Sequence, residues 1–131
     1  MKNENEIKKL KEALNDYIYG AIDRDYKRIY NSWHPEAEMM SSNIEEGNLK
    51  KVPRSFWKDA FEKNPPTPEI TRESEIESID VHGSAANARI KTMLDSPEKC
   101  IIFTDYINLL RLGEKWQIVN KIFHTDVIEK E

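Results

Sequence analysis

One acidic residue interrupts an apolar, alternating segment near the C-terminus. Residues 103–124 read FTDYINLLRLGEKWQIVNKIFH, which predicts two strands joined by a turn at Gly113. Because strand side chains alternate between faces, Asp105 shares a face with Phe103 and Ile107. An isolated carboxylate in an apolar wall must be paired, hydrated or protonated. A cavity filled by water or ligand would explain Asp105, as a proton acceptor or as a group that orients a ligand.

The second strand continues this face if Arg111 pairs with Trp116. On that register Lys121 falls on the outer face, in a salt bridge or subunit contact, and no lysine or arginine lies beside Asp105. A structural alternative is a buried Asp105 bonded to a helix backbone or to a tyrosine hydroxyl. A β-bulge in so long a strand would reverse the alternation beyond it. The second-strand residues predicted on the apolar face are Trp116, Ile118, Asn120, Ile122 and His124.

Two further residues have side chains suited to acid–base chemistry. His34 follows Trp33 at the end of a short predicted helix and could transfer protons near neutral pH. A histidine before a proline also commonly closes a helix, which is the structural alternative. Tyr17 falls on the apolar stripe of the first helix, where a core tyrosine with a satisfied hydroxyl is the corresponding alternative.

Large apolar side chains recur at spacings that suit either a core or the lining of a ligand cavity. No Cys/His cluster has metal-ligand spacing, and no glycine-rich phosphate loop occurs in the sequence, so we expect no metal and no cofactor. The candidate ligand-binding residues are Trp33, Met39, Phe56, Trp57, Phe103, Trp116 and Asn120.

The residues named above must be positioned by helices in the first part of the chain and by strands in the last part. Apolar residues from Ile7 to Ala21 recur at helical spacing, with Gly20 near the end, where tolerance of positive φ is useful. Asp25 can cap a second short helix, and Pro53 opens a third, RSFWKDAFEK. Short extended pieces lie between the second and third helices, and long strands follow residue 69. This order predicts an α+β fold.

Size and charge restrict the class of protein. The chain has 131 residues, which fits a single domain over 1–131, and its net charge of −4 is spread without a basic block. We therefore expect neither nucleic acid nor a membrane surface as a partner. The one cysteine, Cys100, suits a reducing compartment, and the charged N-terminus is unlike a signal peptide. These features predict a cytoplasmic protein.

The element order and the C-terminal motifs resemble a known superfamily. FTDYINLL and GEKWQIVNKIF, with His34-Pro35 and Ala37 before them, are similar to the nuclear transport factor 2-like (NTF2-like) superfamily. Ketosteroid isomerase, scytalone dehydratase and the SnoaL-like polyketide cyclases share its cone-shaped fold. Within it the pattern is most similar to the putative lumazine-binding branch. The resemblance implies three N-terminal helices packed in a strongly curved antiparallel sheet, a cystatin-like cone with one pocket.

The resemblance also carries expectations about function. It implies a protein that binds an unidentified small molecule in an apolar pocket, and a homodimer through the convex face of the sheet. The alternative is a cofactor-independent dehydratase, isomerase or cyclase that uses Asp105 with His34 or Tyr17 as acid and base. Ketosteroid isomerases hold an oxyanion with a helix tyrosine and a carboxylic acid on the sheet, roles that fall here to Tyr17 and Asp105. Glu36 and Glu38 stand where their aspartate base is expected, which disfavours steroid isomerisation.

Overall fold

A computed structural model describes residues 2–131 and confirms the α+β class. Within that range the chain forms three helices and one six-stranded, curved and unclosed sheet. The helices are α1 (Lys2–Ile22), α2 (Tyr26–Ser32) and α3 (Phe56–Lys63). The strands are β1 (Trp33–Asn43), β2 (Asn48–Pro53), β3 (Thr71–His82), β4 (Ala85–Asp95), β5 (Lys99–Leu112) and β6 (Lys115–Glu129).

The sheet has the strand order β2-β1-β6-β5-β4-β3. Four of its neighbouring pairs are antiparallel, but β1 runs parallel to β6. The prediction of a wholly antiparallel sheet is therefore wrong at this pair. The chain passes directly from α2 into β1, which pairs with β6 from a distant part of the sequence.

Helix α1 buries the side predicted from its periodicity, including Leu10, Leu14 and Tyr17. Gly20 does not have the positive φ expected of it; the residue in that conformation at this turn is Arg24, with φ 56°. Gly20 is needed for close approach instead, because a Cβ there would lie 2.7 Å from the side chain of Ile29 in α2. The two helices therefore pack closely against each other at this point.

The alternation predicted along β5 is confirmed. Asp105, Ile107 and Leu109 are buried, whereas Tyr106 is exposed. Together with buried residues of β4 and β6, the two apolar side chains join one core that also contains residues of all three helices. Asp105 is therefore a charged side chain set at the margin of the main apolar core.

The register predicted for β6 is correct in the first half of the strand and wrong in the second half. Asn108 pairs with Asn120 but the next residue of β5, Leu109, pairs with Ile118, so Val119 is an extra residue that forms a β-bulge. Before the bulge Trp116 and Ile118 are buried as predicted; after it the inward residues are Lys121 and Phe123. The residues predicted inward that instead lie on the outer side are Asn120, Ile122 and His124.

Candidate functional site

A cavity of about 310 Å³ adjoins Asp105. Side chains from α1, α3 and all six strands line it, and most of them are apolar. Because these elements are distant in sequence, the cavity depends on the complete fold. The aromatic residues of its lining are Phe56, Trp57, Phe61, Phe103 and Phe123.

Three buried polar side chains form a cluster in the wall of this cavity. The Tyr17 hydroxyl donates to Oδ2 of Asp105 at 3.2 Å. The Lys121 ammonium donates to the Tyr17 oxygen at 2.8 Å, and its Nζ lies 3.5 Å from the same Asp105 oxygen. Oδ1 of Asp105 is buried and has no hydrogen-bond partner among residues 2–131. The cluster therefore retains one unused acceptor.

The charge of Lys121 is also surrounded by aromatic rings. Its Nζ lies 5.2 Å from the ring centroid of Tyr17, 5.5 Å from that of Trp57 and 5.0 Å from that of Phe123. Aromatic faces attract a cation at this range. The rings and the carboxylate of Asp105 together compensate for part of the hydration that Lys121 loses on burial.

Burial shifts two of the three groups away from their charged forms. Burial raises the pKa of Tyr17 well above 10.0, and the neighbouring Asp105 charge raises it further. Burial lowers the pKa of Lys121 below 10.5, although Asp105 opposes that shift. At neutral pH Tyr17 is therefore a protonated donor, and Lys121 holds its proton less tightly than a surface lysine.

The structure divides the predicted site residues into two sets. Those on the cavity wall are Asp105, Tyr17, Met39, Phe56, Trp57 and Phe103. Those outside its lining are His34, Trp33, Trp116 and Asn120. The predicted pairing of Asp105 with Tyr17 forms, whereas that of Asp105 with His34 does not.

Each residue of the second set has another environment. The half-buried His34 accepts the backbone N–H of Glu36 at 3.0 Å through Nδ1, at the start of β1. The indole of Trp33 lies in the core, and that of Trp116 donates to Glu6 at 2.7 Å. The remaining residue, Asn120, accepts from Asn108 at 2.8 Å because the bulge turns its side chain outward.

Sequence reasoning missed Lys121, Arg72, Arg24 and Phe123 as cavity residues. Regular alternation places Lys121, three residues after Ile118, on the opposite face, and only the bulge at Val119 turns it inward. No local pattern identifies Arg72, which lies at the start of β3 opposite Leu94 of β4. Its position on the wall follows from strand pairing alone.

The curved sheet, the three helices and the architecture of solved relatives define an NTF2-like protein. An NTF2-like protein of unknown function from Shewanella baltica is 30% identical, with a TM-score of 0.77, covering 93% of this chain and 94% of that one. A sequence model described as "Putative lumazine-binding" matches residues 5–124, and the chain belongs to this family. No curated protein matches the sequence at a significant level.

Two more distant structures show the same fold. A putative scytalone dehydratase from Novosphingobium aromaticivorans has a TM-score of 0.72 at 12% identity, covering 98% of this chain and 90% of its own. A domain of unknown function with a cystatin-like fold from Nostoc punctiforme has a TM-score of 0.63 at 14% identity, covering 87% and 73%. At these identities the likeness extends to the fold alone.

Residues 2–131 contain neither a metal-binding cluster nor a membrane-spanning helix. No group of three or more His, Cys, Asp or Glu side chains is placed to hold a metal ion in that range. None of the helices described there is both long and apolar enough to cross a membrane.

Proposed function

We propose that this protein binds a small, largely apolar molecule in the cavity beside Asp105. The observation that carries the proposal is the buried, unpaired Oδ1 of Asp105 in the wall of a mainly apolar cavity of about 310 Å³. Ligand pockets of proteins combine apolar walls with a few fixed polar groups, and this volume is at the small end of their range. A ligand hydroxyl or N–H would satisfy the unused acceptor.

The family description supports a flat, aromatic ligand. Lumazine, the compound that the description names, is a bicyclic heteroaromatic molecule with N–H donors. Its flat rings would suit the aromatic residues Trp57, Phe103 and Phe123, and one N–H would suit Asp105. Lumazine is therefore the first compound to test.

We expect N-phenyl-1-naphthylamine, a neutral dye that fluoresces in apolar sites, to bind once per chain, and lumazine to displace it. Ala60→Trp fills the cavity from α3 and should abolish dye binding, whereas Ala85→Trp, at an exposed position, should not. Asp105→Asn should weaken displacement by lumazine or another N–H donor about tenfold, because the ligand loses a bond to a charged acceptor. Asp126→Asn, on the exposed end of β6, is the control.

The dye results decide the proposal. Absence of saturable dye binding to the wild-type protein, or equal binding by the Ala60→Trp variant, would contradict a ligand cavity at this place. Native mass spectrometry of the purified protein supplies an independent readout, since a co-purifying small molecule should be lost in the same variant.

A second candidate is a cofactor-independent enzyme of the dehydratase, isomerase or cyclase type. The pairing of Asp105 with Tyr17 favours it, because an acceptor and an O–H donor then face one cavity. Oδ1 of Asp105 would take a proton from carbon next to a substrate carbonyl, and the Tyr17 hydroxyl would turn from Oδ2 of Asp105 to donate to the oxygen on which charge develops. Deuterium exchange next to the carbonyl of 2-tetralone tests this: exchange at the buffer rate would exclude it for this probe, and Asp105→Asn should remove any acceleration.

We also propose a homodimer through the convex face of the sheet. Tyr106 and Ile122 are cross-strand partners on the outer side, 42% and 50% exposed, and Leu110 lies on the same strand face at 37%. Such a strip is costly to leave in water. In sedimentation experiments Ile122→Lys should give monomers, whereas Ile44→Lys, on the exposed β1–β2 turn, should not. A monomeric wild-type protein at micromolar concentration would refute the dimer.

The cytoplasm is the compartment that we propose for this protein. Its single cysteine, Cys100, is free and half-buried, which suits a reducing environment. Cell fractionation would test this, and recovery of the protein outside the cytoplasm would contradict it. The net charge of −4 supports the further expectation that neither nucleic acid nor a membrane surface is a partner.

A further inference from the structure

The charges on the cavity wall are unequal. Arg24, Arg72 and Lys121 line it, whereas Asp105 is the one acidic residue among the lining side chains of residues 2–131. Lys121 and Asp105 lie within 3.5 Å of each other and compensate each other's charge. The net positive charge of the cavity therefore comes from the two arginines.

Arg24 already has protein partners. Its guanidinium donates to the backbone oxygen of Phe61 at 3.1 Å and to that of Asn64, at the C-terminal end of α3. Exposed carbonyls at a helix C-terminus attract cations. Its carbon Cζ also lies 5.1 Å from the ring centroid of Phe61. Arg24 thus connects the α1–α2 turn to α3, and its charge is partly neutralised.

Arg72 has no comparable partner. Within residues 2–131 its side chain makes no hydrogen bond or ion pair, and its Nε is buried without an acceptor. The ring centroid of Trp57 lies 5.9 Å from its Cζ. The charge of Arg72 also lowers the pKa of both Tyr17 and Lys121, which places its field across the same cavity wall.

The Nε–H group of Arg72 is buried in a mainly apolar wall without an acceptor, which is energetically unfavourable. A buried donor without an acceptor loses its hydration and gains nothing in exchange. The guanidinium is planar, and its parallel N–H groups match the two oxygens of a carboxylate. A ligand carboxylate would therefore supply the hydrogen-bond acceptors that the protein does not provide at Arg72.

We propose that the ligand of this cavity is a small aromatic or similarly apolar carboxylic acid, and that Arg72 binds its carboxylate. This inference rests on the proposed ligand-binding function and specifies the ligand's chemical class. The carboxylate of Asp105 repels a second negative charge, so it directs the acid end towards Arg72. An uncharged donor at the other end of the ligand then faces Oδ1 of Asp105, with the apolar body against Trp57 and Phe103.

Two compounds with the same rings isolate the contribution of charge. 2-Naphthoate and 2-naphthamide are compared as competitors of N-phenyl-1-naphthylamine, whose neutral structure does not depend on an anion site. The wild-type protein should bind the naphthoate at least about tenfold more tightly than the amide, as expected for a charge-assisted pair. Arg72→Gln should remove that difference, with the affinity of each compound calculated from the dye affinity measured for the same variant.

The matched control is Arg89→Gln, on the neighbouring strand β4. Arg89 pairs with Glu77 at 3.1 Å and does not line the cavity, so the preference for naphthoate should persist. Arg72→Lys keeps the charge but loses the paired N–H groups, and we expect an intermediate preference. This variant also allows the test if Arg72→Gln does not fold, which thermal unfolding will show.

The possible results separate the two proposals. Equal binding of naphthoate and naphthamide by the wild-type protein would overturn the carboxylate inference and leave the ligand cavity standing. An Arg72→Gln variant that weakens both compounds equally would show that Arg72 only supports the wall, which also overturns it. Failure of the dye and both compounds to bind would refute the proposed function and the inference together.

Discussion

Replacing Asp105 with leucine is expected to destabilise the protein by about 3–5 kcal/mol, because Lys121 would remain buried without its carboxylate partner. The double variant Asp105→Leu/Lys121→Met removes both charges and should regain most of that loss, apart from the cost of leaving the Tyr17 hydroxyl without partners. Urea unfolding of the wild type, both single variants and the double variant gives the coupling energy directly.

The loss of stability caused by Asp105→Leu should also depend on pH. Burial holds the pKa of Lys121 below 10.5 in the folded state, and removing the Asp105 charge lowers it further. Between the folded pKa and about 10.5 the unfolded chain binds more protons, so stability rises with pH in that interval. The destabilisation of Asp105→Leu should therefore be full at neutral pH and smaller in alkaline solution.

A surface ion pair of the same sheet provides the control. Glu38 and Lys51 lie 3.5 Å apart on β1 and β2, and both side chains are about half exposed. Glu38→Leu should cost no more than about 1 kcal/mol, because water screens such pairs. An Asp105→Leu variant as stable as the wild type at neutral pH would show that Lys121 is not held as a buried cation.

The second large effect distinguishes Trp33, a tryptophan of the core, from Phe56, a phenylalanine of the cavity wall. Trp33 is buried in the core and does not line the cavity, so Trp33→Ala should cost about 3–5 kcal/mol of stability. Phe56 is 42% exposed and lines the cavity, so Phe56→Ala should cost less than about 1 kcal/mol. The same change should weaken dye binding about tenfold, since the ligand loses apolar contact.

Affinity is measured in the milder variant Trp33→Phe, which keeps an aromatic ring and should remain folded. Its dye affinity should equal that of the wild-type protein within about twofold. A loss as large as that of Phe56→Ala would place Trp33 among the ligand contacts, contrary to the structure.

Local periodicity predicted the main helices and strands, and it placed two of the three clustered polar residues, Tyr17 and Asp105. The stripe of α1 and the alternation of β5 each follow from the spacing of apolar residues, so Tyr17 and Asp105 could both be assigned to the interior. Their convergence with Lys121 could not be assigned, because the bulge at Val119 depends on pairing with β5. Under the predicted register Lys121 lies on the outer face, and Asp105→Leu would then leave the stability of the protein unchanged or increase it.

Other parts of the site depend on contacts between distant segments. Tyr17 and Lys121 are 104 positions apart, and only the assembled sheet and helices bring them together. Arg72 reaches the cavity because β3 pairs with β4 at the position of Leu94. The parallel direction of β1 beside β6 is likewise a property of the chain's path, which local sequence preferences do not encode.

The bulge at Val119 has a consequence for how the binding preference of such a chain can evolve. It separates β6 into a segment that serves the core, with Trp116 and Ile118, and one that serves the cavity, with Lys121 and Phe123. Substitutions in the second segment can therefore be selected for new ligands without repacking the first. A change that straightened the bulge while keeping Val119 would be a larger step, because regular alternation would then turn Lys121 towards solvent and bring Ile122 to the cavity side in its place.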